Sequence, residues 1–359
     1  MQDPIYVTRT FLPPRAEYDA WLDKIYESHI LTNNGPVHNE LEEKLRSVLN
    51  ADHLLLTSNG TIALQLAIRT LGVTGKVITT PFSYVATVSA ILWEGCTPVF
   101  ADIDPRTCCI DPAKIEALID DETTAILATH VYGFPCDVDA IKDIADRHGL
   151  KVIYDGAHAF GTIYKAKSLT SYGDACTLSF HATKLFHTVE GGAVILHSEE
   201  VRKKMRLQRS FGHIGDEHFE LGINGKMSEM HAAMGMAVLP YVPELIKTRR
   251  SLTERYAERL KEVNVTMLSI PVETEFNYGY LPLILPTGKR QIVTDALAAV
   301  QIHPRRYFFP SLNTLPYLEY AQCPVSEDMA SRMLCMPLYR ELSLEDVDRI
   351  CSVIAAALK

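Results

Sequence analysis

The chain has 359 residues, 47% hydrophobic and 22% charged, with a formal net charge of −9. That length suits two domains at about 150 residues each, and the composition excludes a wholly disordered chain. The acidic balance argues against a nucleic-acid partner, which needs clustered excess lysine and arginine; the basic clusters at residues 201–209 and 247–250 read as solvated helix faces. No apolar run approaches the roughly 20 residues that cross a bilayer, so no membrane partner is expected. The eight cysteines lack CxxC or zinc-like spacing, and no secretory signal is read at the start. They are expected to be reduced, mostly buried thiols of a cytoplasmic protein without a metal site.

From about residue 37 helical and extended patterns alternate. Val37, Leu41, Leu45 and Val48 keep one helical face, residues 53–57 suit a buried strand, and a helix is expected over 61–71. Strand-like stretches follow at 77–80, 98–101 and 125–129, with helices at 85–93, from Pro112, and at 138–148. Three short β-favouring stretches come next, at 151–155, 177–179 and 193–196. This pattern predicts an α/β fold, a mostly parallel sheet with helices on both faces, in which ligands gather at the carboxyl ends of strands. Two prolines interrupt the chain near 239–243, and a charged helix over 244–263 leads to mixed elements ending in a helix from Leu344. The expected division is a large domain over 1–240 and a smaller α+β domain over 241–359, with the N-terminal segment free to pack on the smaller one.

Four stretches carry chemistry. Ser58-Asn59-Gly60-Thr61 joins a strand to a helix, where Gly60 permits close backbone approach and the free N–H groups suit a phosphate; an ordinary N-cap by Ser58 or Thr61 explains the same residues. Val152-Ile153-Tyr154-Asp155 ends a strand in a carboxylate able to hold a pyridinium nitrogen protonated, and equally able to cap a helix. Ser179-Phe180-His181-Ala182-Thr183-Lys184 places a lysine after a short strand, where burial lowers an amine's pKa enough for it to attack a carbonyl. The fourth stretch, residues 222–229, is a glycine-punctuated loop entering a helix. Its small residues Ala232, Ala233, Gly235 and Ala237 suit close packing, either inside the chain or at a subunit interface.

Together these stretches closely resemble the DegT/DnrJ/StrS family of sugar aminotransferases over nearly the whole chain, from Leu31-Thr32-Asn33-Asn34-Gly35-Pro36 to the final helix. The Ser-Phe-His-Ala-Thr-Lys segment is the most specific part. The resemblance implies a fold type I pyridoxal 5′-phosphate (PLP) enzyme in which Lys184 forms the Schiff base and shuttles a proton, and Asp155 pairs with the ring nitrogen. Gly60, Thr61 and Ser179 would hold the phosphate and Tyr84 would stack on the ring. Asn224 matches a position that reaches the phosphate from the neighbouring subunit of a homodimer. His158, where many members have glutamine, would lie near the ring hydroxyl and is expected to be pH-sensitive. Lys226 stands in place of a common arginine and His231 in place of a common glutamine.

L-Glutamate would be the amino donor and a nucleotide-linked keto sugar the acceptor. The segment from His303 to Pro310 makes the chain most like members that aminate dTDP-4-keto-6-deoxyglucose at C4, on the way to O-antigen sugars such as viosamine. Arg305, Tyr307 and Phe308 would border the sugar or nucleotide, a position equally open to core aromatics. The alternatives are an enzyme acting at C3 or on another nucleotide, and a noncatalytic PLP-binding sensor. Lys184 disfavours a related dehydratase that has histidine at this position. The βα pattern alone also fits a nicotinamide dehydrogenase, but no GxGxxG turn follows the first strand.

Overall fold

A computed structural model of the chain describes residues 3–359. Seven strands form the central sheet: β1 (His53–Thr57), β2 (Lys76–Thr79), β3 (Thr97–Phe100), β4 (Thr123–Thr129), β5 (Lys151–Asp155), β6 (Ala175–Ser179) and β7 (Gly192–Leu196). Their spatial order is β1-β7-β6-β5-β4-β2-β3. The pairs β2–β3, β2–β4, β4–β5 and β5–β6 are parallel, and β7 runs antiparallel to both β1 and β6.

The strands are apolar on both faces because both faces are covered. Leu54, Leu56, Ile78, Ile126, Val152, Tyr154 and Leu178 enter one core cluster, which also holds residues of α1 (Arg15–Ser28), α2 (Pro36–Val48), α5 (Val138–His148) and α7 (Glu229–Val238). Their alternating neighbours Leu55, Val77, Leu127, Ile153 and Val194 enter the opposite cluster with α3 (Gly60–Thr70), α4 (Ala86–Trp93) and α6 (Glu199–Gln208). Each buried aliphatic side chain contributes about 1.5–3 kcal/mol, so a one-residue register slip would exchange whole sets between the two layers.

A third cluster gathers Leu252, Tyr256 and Leu260 of α8 (Val242–Leu260), Val293 and Leu297 of α9 (Arg290–Ala299), and Val347, Ile350 and Ile354 near the C-terminus. Ile5 joins it, since the strand Ile5–Tyr6 pairs in parallel with Ile302–His303. The N-terminal segment thus packs among residues far along the chain.

Two sequence expectations need correction, and one left open is decided. Pro112 opens two short 3-10 turns, Pro112–Lys114 and Glu116–Leu118, in place of an α-helix. Asp120 accepts from the Glu122 N–H and the Thr123 hydroxyl, closing a turn that sends the chain straight into β4. Val48 is 59% exposed and Leu49 is buried in its place, because the helix stops at Val48 and the cap residue turns inward. The small residues of α7 pack inside the chain: a Cβ on Gly235 would lie 2.8 Å from side-chain carbons of Leu41 and Thr188. Glu229, fully buried at the start of α7, accepts from the N–H groups of Val37 and His38 at 2.8 and 2.9 Å. It thereby caps α2 from nearly 200 positions away. All eight cysteines are free and buried.

Candidate active site

A cavity of about 660 Å³ opens at the carboxyl ends of β4, β5 and β6. Lys184 and Asp155 both line it, and each perturbs the ionisation of the other. The amine lies on the tight turn after β6, where the Lys184 N–H donates to the His181 carbonyl at 2.8 Å. Burial pushes the amine below its usual value, opposed by the charge of Asp155. Its Nζ donates to the Tyr280 hydroxyl at 3.2 Å, and burial raises the Tyr280 phenol, so it stays neutral and accepts. An amine held this way reaches its reactive neutral form more readily than an exposed lysine.

Asp155 ends β5 and is 6% exposed. Burial raises its carboxyl; the Thr87 hydroxyl, the Ala157 N–H and Lys184 favour the charged form. Oδ2 accepts from Thr87 at 2.7 Å and Oδ1 from Ala157 N–H at 3.1 Å. The carboxylate does not cap a helix. It is fixed from behind and presents its remaining lone pairs to the cavity.

The phosphate-like corner is built from α3. Asn59, rather than Ser58 or Thr61, caps this helix, with its side chain accepting from Ile62 N–H at 2.9 Å. The remaining first-turn N–H groups, those of Gly60 and Thr61, are left for a ligand. Gly60 is needed for space: an added Cβ would stand 2.9 Å from Ser179 Cβ. Gly60, Thr61 and Ser179 all line the cavity, so the turn after β1 and the end of β6 meet at one of its corners.

Tyr84 lines the same cavity and is 62% exposed. His158 lies deeper. Its Nδ1 accepts from the Tyr132 N–H at 3.1 Å, which places the ring proton on Nε2. The imidazole lies nearly parallel to Phe308 at 5.6 Å and packs against Tyr280 at 4.3 Å. Burial, helped by Lys184, drives its pKa well below the ordinary 6.5. Burial thus favours the neutral imidazole, with Nε2–H left to donate, and works against the pH sensitivity expected from the sequence. Replacing it with glutamine, which also donates, is expected to leave the pH profile of turnover unchanged around pH 6.5; a wild-type inflection there that vanishes in the variant would show that the imidazole titrates.

Arg305, Tyr307 and Phe308 reach the cavity wall. Phe308 is buried and belongs to the core as well, while Arg305 is exposed, its guanidinium 5.6 Å from the centre of the Tyr307 ring. Asn224 does not reach the cavity of its own chain; it is exposed and bridges to Ser210. Several lining residues had no role assigned from the sequence: Tyr280, Ser83, Thr129, Glu190, and Tyr6 with His303, whose rings stack at 5.2 Å. Their contributing segments are far apart in the chain and follow no local pattern. Among the described residues there is no cluster of metal-ligating side chains, and no helix is long and apolar enough to cross a membrane.

A dTDP-4-amino-4,6-dideoxy-D-glucose transaminase of Shigella dysenteriae is 41% identical over 363 residues, covering 99% of both chains. The crystal structure of DesI in the presence of its TDP-sugar product superimposes with a TM-score of 0.96 at 33% identity, covering 100% of this chain and 94% of that one. NtdA from Bacillus subtilis, solved with bound cofactor PMP, gives a TM-score of 0.89 at 28% identity over 96% of this chain and 82% of its own. Residues 15–355 match the DegT/DnrJ/EryC1/StrS aminotransferase family, and with the Lys184 amine and the Asp155 carboxylate opening on one cavity the chain belongs to that family of PLP-dependent enzymes.

Proposed function

We propose that this enzyme transfers the amino group of L-glutamate to C4 of dTDP-4-keto-6-deoxyglucose, yielding dTDP-4-amino-4,6-dideoxyglucose. The observation that carries the reading is the opening of Lys184 and Asp155 on one cavity beside the Gly60 and Thr61 N–H groups at the start of α3. The chemical donor set fits PLP: a depressed amine for its aldehyde, a carboxylate for its ring nitrogen, and N–H and hydroxyl groups for its phosphate. The Gly60 notch, which a methyl group would close, leaves room for that phosphate.

When bound, PLP supplies the carbonyl that carries nitrogen and a ring that accepts electrons from the carbon being deprotonated. Lys184 would hold it covalently at rest, and its Nζ would take the proton from the donor's Cα and deliver one to the sugar carbon. Asp155 would keep the ring nitrogen protonated, while the His158 Nε2–H would donate to the ring hydroxyl. Gly60, Thr61 and Ser179 would hold the phosphate and Tyr84 would cover one ring face. Neutral Tyr280 would orient the amine. Arg305 and Tyr307 at the wall would meet the nucleotide sugar, Arg305 facing its phosphates.

The working unit in this reading is a homodimer with Asn224 reaching the neighbour's phosphate pocket. Support comes from its own surroundings, where Phe211, Ile214, Phe219, Leu221 and Ile223 expose a run of large apolar side chains. The smaller domain is taken to begin near residue 241. Reduced cysteines favour the cytoplasm, where the product would enter O-antigen-type polysaccharide synthesis.

The test is incubation with glutamate and dTDP-4-keto-6-deoxyglucose, alongside 3-keto and UDP- or GDP-linked sugars, with the new nitrogen located by NMR. Amination at C4 of the dTDP sugar with the highest kcat/KM is expected. Amination at C3, preference for another nucleotide, or no turnover at all would reject this assignment.

A further inference from the structure

Asp155 is backed by a chain of buried hydroxyls. Thr87 Oγ1 lies 2.7 Å from Asp155 Oδ2, Ser83 Oγ lies 2.7 Å from Thr87 Oγ1, and Thr129 Oγ1 donates to Ser83 Oγ at 3.1 Å. Exposure is 0% for Thr87 and 3% for both Ser83 and Thr129, so these bonds are largely shielded from bulk water. The three come from two places. Ser83 and Thr87 flank Tyr84 at the start of α4, whereas Thr129 ends β4 as the direct register partner of Asp155.

The proton order follows from chemistry. An ionised carboxylate only accepts, so Thr87 must donate to it; Thr87 then has no proton left for Ser83 and accepts one. Ser83, having spent its single proton on Thr87, accepts from Thr129. Every dipole in the chain therefore points toward Asp155, and such chains strengthen one another by polarisation where the dielectric is low. Hydroxyls that merely satisfied each other would not need to end on the one buried carboxylate facing the cavity. The other titratable groups near that carboxylate are Lys184 and Cys176.

We propose that Thr129, Ser83 and Thr87 form a one-way hydroxyl relay that positions Asp155 and holds it charged toward the cofactor's ring nitrogen. Because Ser83 and Thr87 share a turn with Tyr84, the same short segment sets both the carboxylate and the aromatic cover. The relay rests on the assignment of Asp155 to the ring nitrogen. Thr129, Ser83 and Thr87 are positioning residues: they act through that carboxylate.

The test measures equilibrium binding of PLP, and of its 1-deaza analogue in which carbon replaces the ring nitrogen, to the cofactor-free protein by fluorescence quenching. The wild type is expected to prefer PLP. Thr87→Val should lose about tenfold of that preference, the scale of one hydrogen bond to a charged group, with little change in affinity for the analogue. Thr129→Val should lose about two- to threefold, and Thr87→Ser should restore the wild-type ratio. Ser83→Ala interrupts the same chain and serves if Thr87→Val does not fold.

The relay is overturned if Thr87→Val keeps the wild-type preference, if it weakens both ligands equally, if Thr87→Ser fails to restore the ratio, or if Thr129→Val is silent. An Asp155→Ala protein that still prefers PLP, or a wild type with no preference, rejects the underlying assignment of Asp155 as well. Loss of the preference in Asp155→Ala but not in Thr87→Val rejects the relay alone.

Discussion

Lys184→Ala is expected to lower kcat for glutamate-dependent amination by at least about 10⁴-fold, because one substitution removes both the covalent anchor and the group that moves the proton. Lys184→Arg is expected to be equally inactive. Its guanidinium keeps the charge but stays protonated, so it neither attacks a carbonyl nor accepts a proton. The arginine variant therefore separates the chemistry of a neutral amine from the simple presence of a cation near Asp155. Both proteins should remain folded, which circular dichroism checks. After borohydride treatment of the PLP-loaded wild type, the cofactor's mass should appear on the peptide containing Lys184. Substantial turnover by either variant, or labelling of another lysine, would remove Lys184 from the mechanism.

Asp155→Ala is the second large effect. Removing one member of a buried charge pair costs about 3–5 kcal/mol, which in a rate is roughly 10²–10⁴. The loss should appear in kcat/KM for glutamate and sugar alike, because both half-reactions draw on the same protonated ring. Asp155→Asn keeps the size and the Thr87 contact, yet it cannot offer a charge, and is expected to fall within the same range. A kcat/KM for Asp155→Asn within tenfold of wild type would mean that the carboxylate's charge is not used. Neither variant should reduce binding of the nucleotide sugar's phosphates, which belongs to other parts of the wall in the proposed arrangement.

Much of the framework was legible in the chain itself. The helix at residues 138–148 and the strands at 53–57 and 151–155 fall where expected, because a buried parallel sheet demands apolar strands bounded by turns and the helices carry clear caps. Elements failed where local pattern and tertiary demand diverged. Pro112 is a good helix start, but the chain had to turn early to enter β4. Val48 fits a helical stripe, yet the helix ends there and Leu49 supplies the core contact instead. The small residues of α7 carried no sign of whether they packed inward or against a second chain; the side chains of Leu41 and Thr188 decided it.

The sequence by itself determined the chemical inventory: a lysine after a short strand, a carboxylate at a strand end, a glycine before a helix, and the family these imply. Tertiary structure alone decided how those groups act on one another. Only burial in the folded cavity depresses the Lys184 amine, against the opposing charge of Asp155, only the Tyr132 N–H selects the His158 tautomer, and only the adjacency of β4 and β5 brings Thr129 into line with Asp155 through Ser83 and Thr87. The physical reason is range. Propensity, capping and hydrophobic period act over a few residues and leave their mark in order along the chain. Ionisation state and hydrogen-bond direction depend on desolvation and on partners that can lie 192 positions away, which exist as neighbours only once the chain has folded.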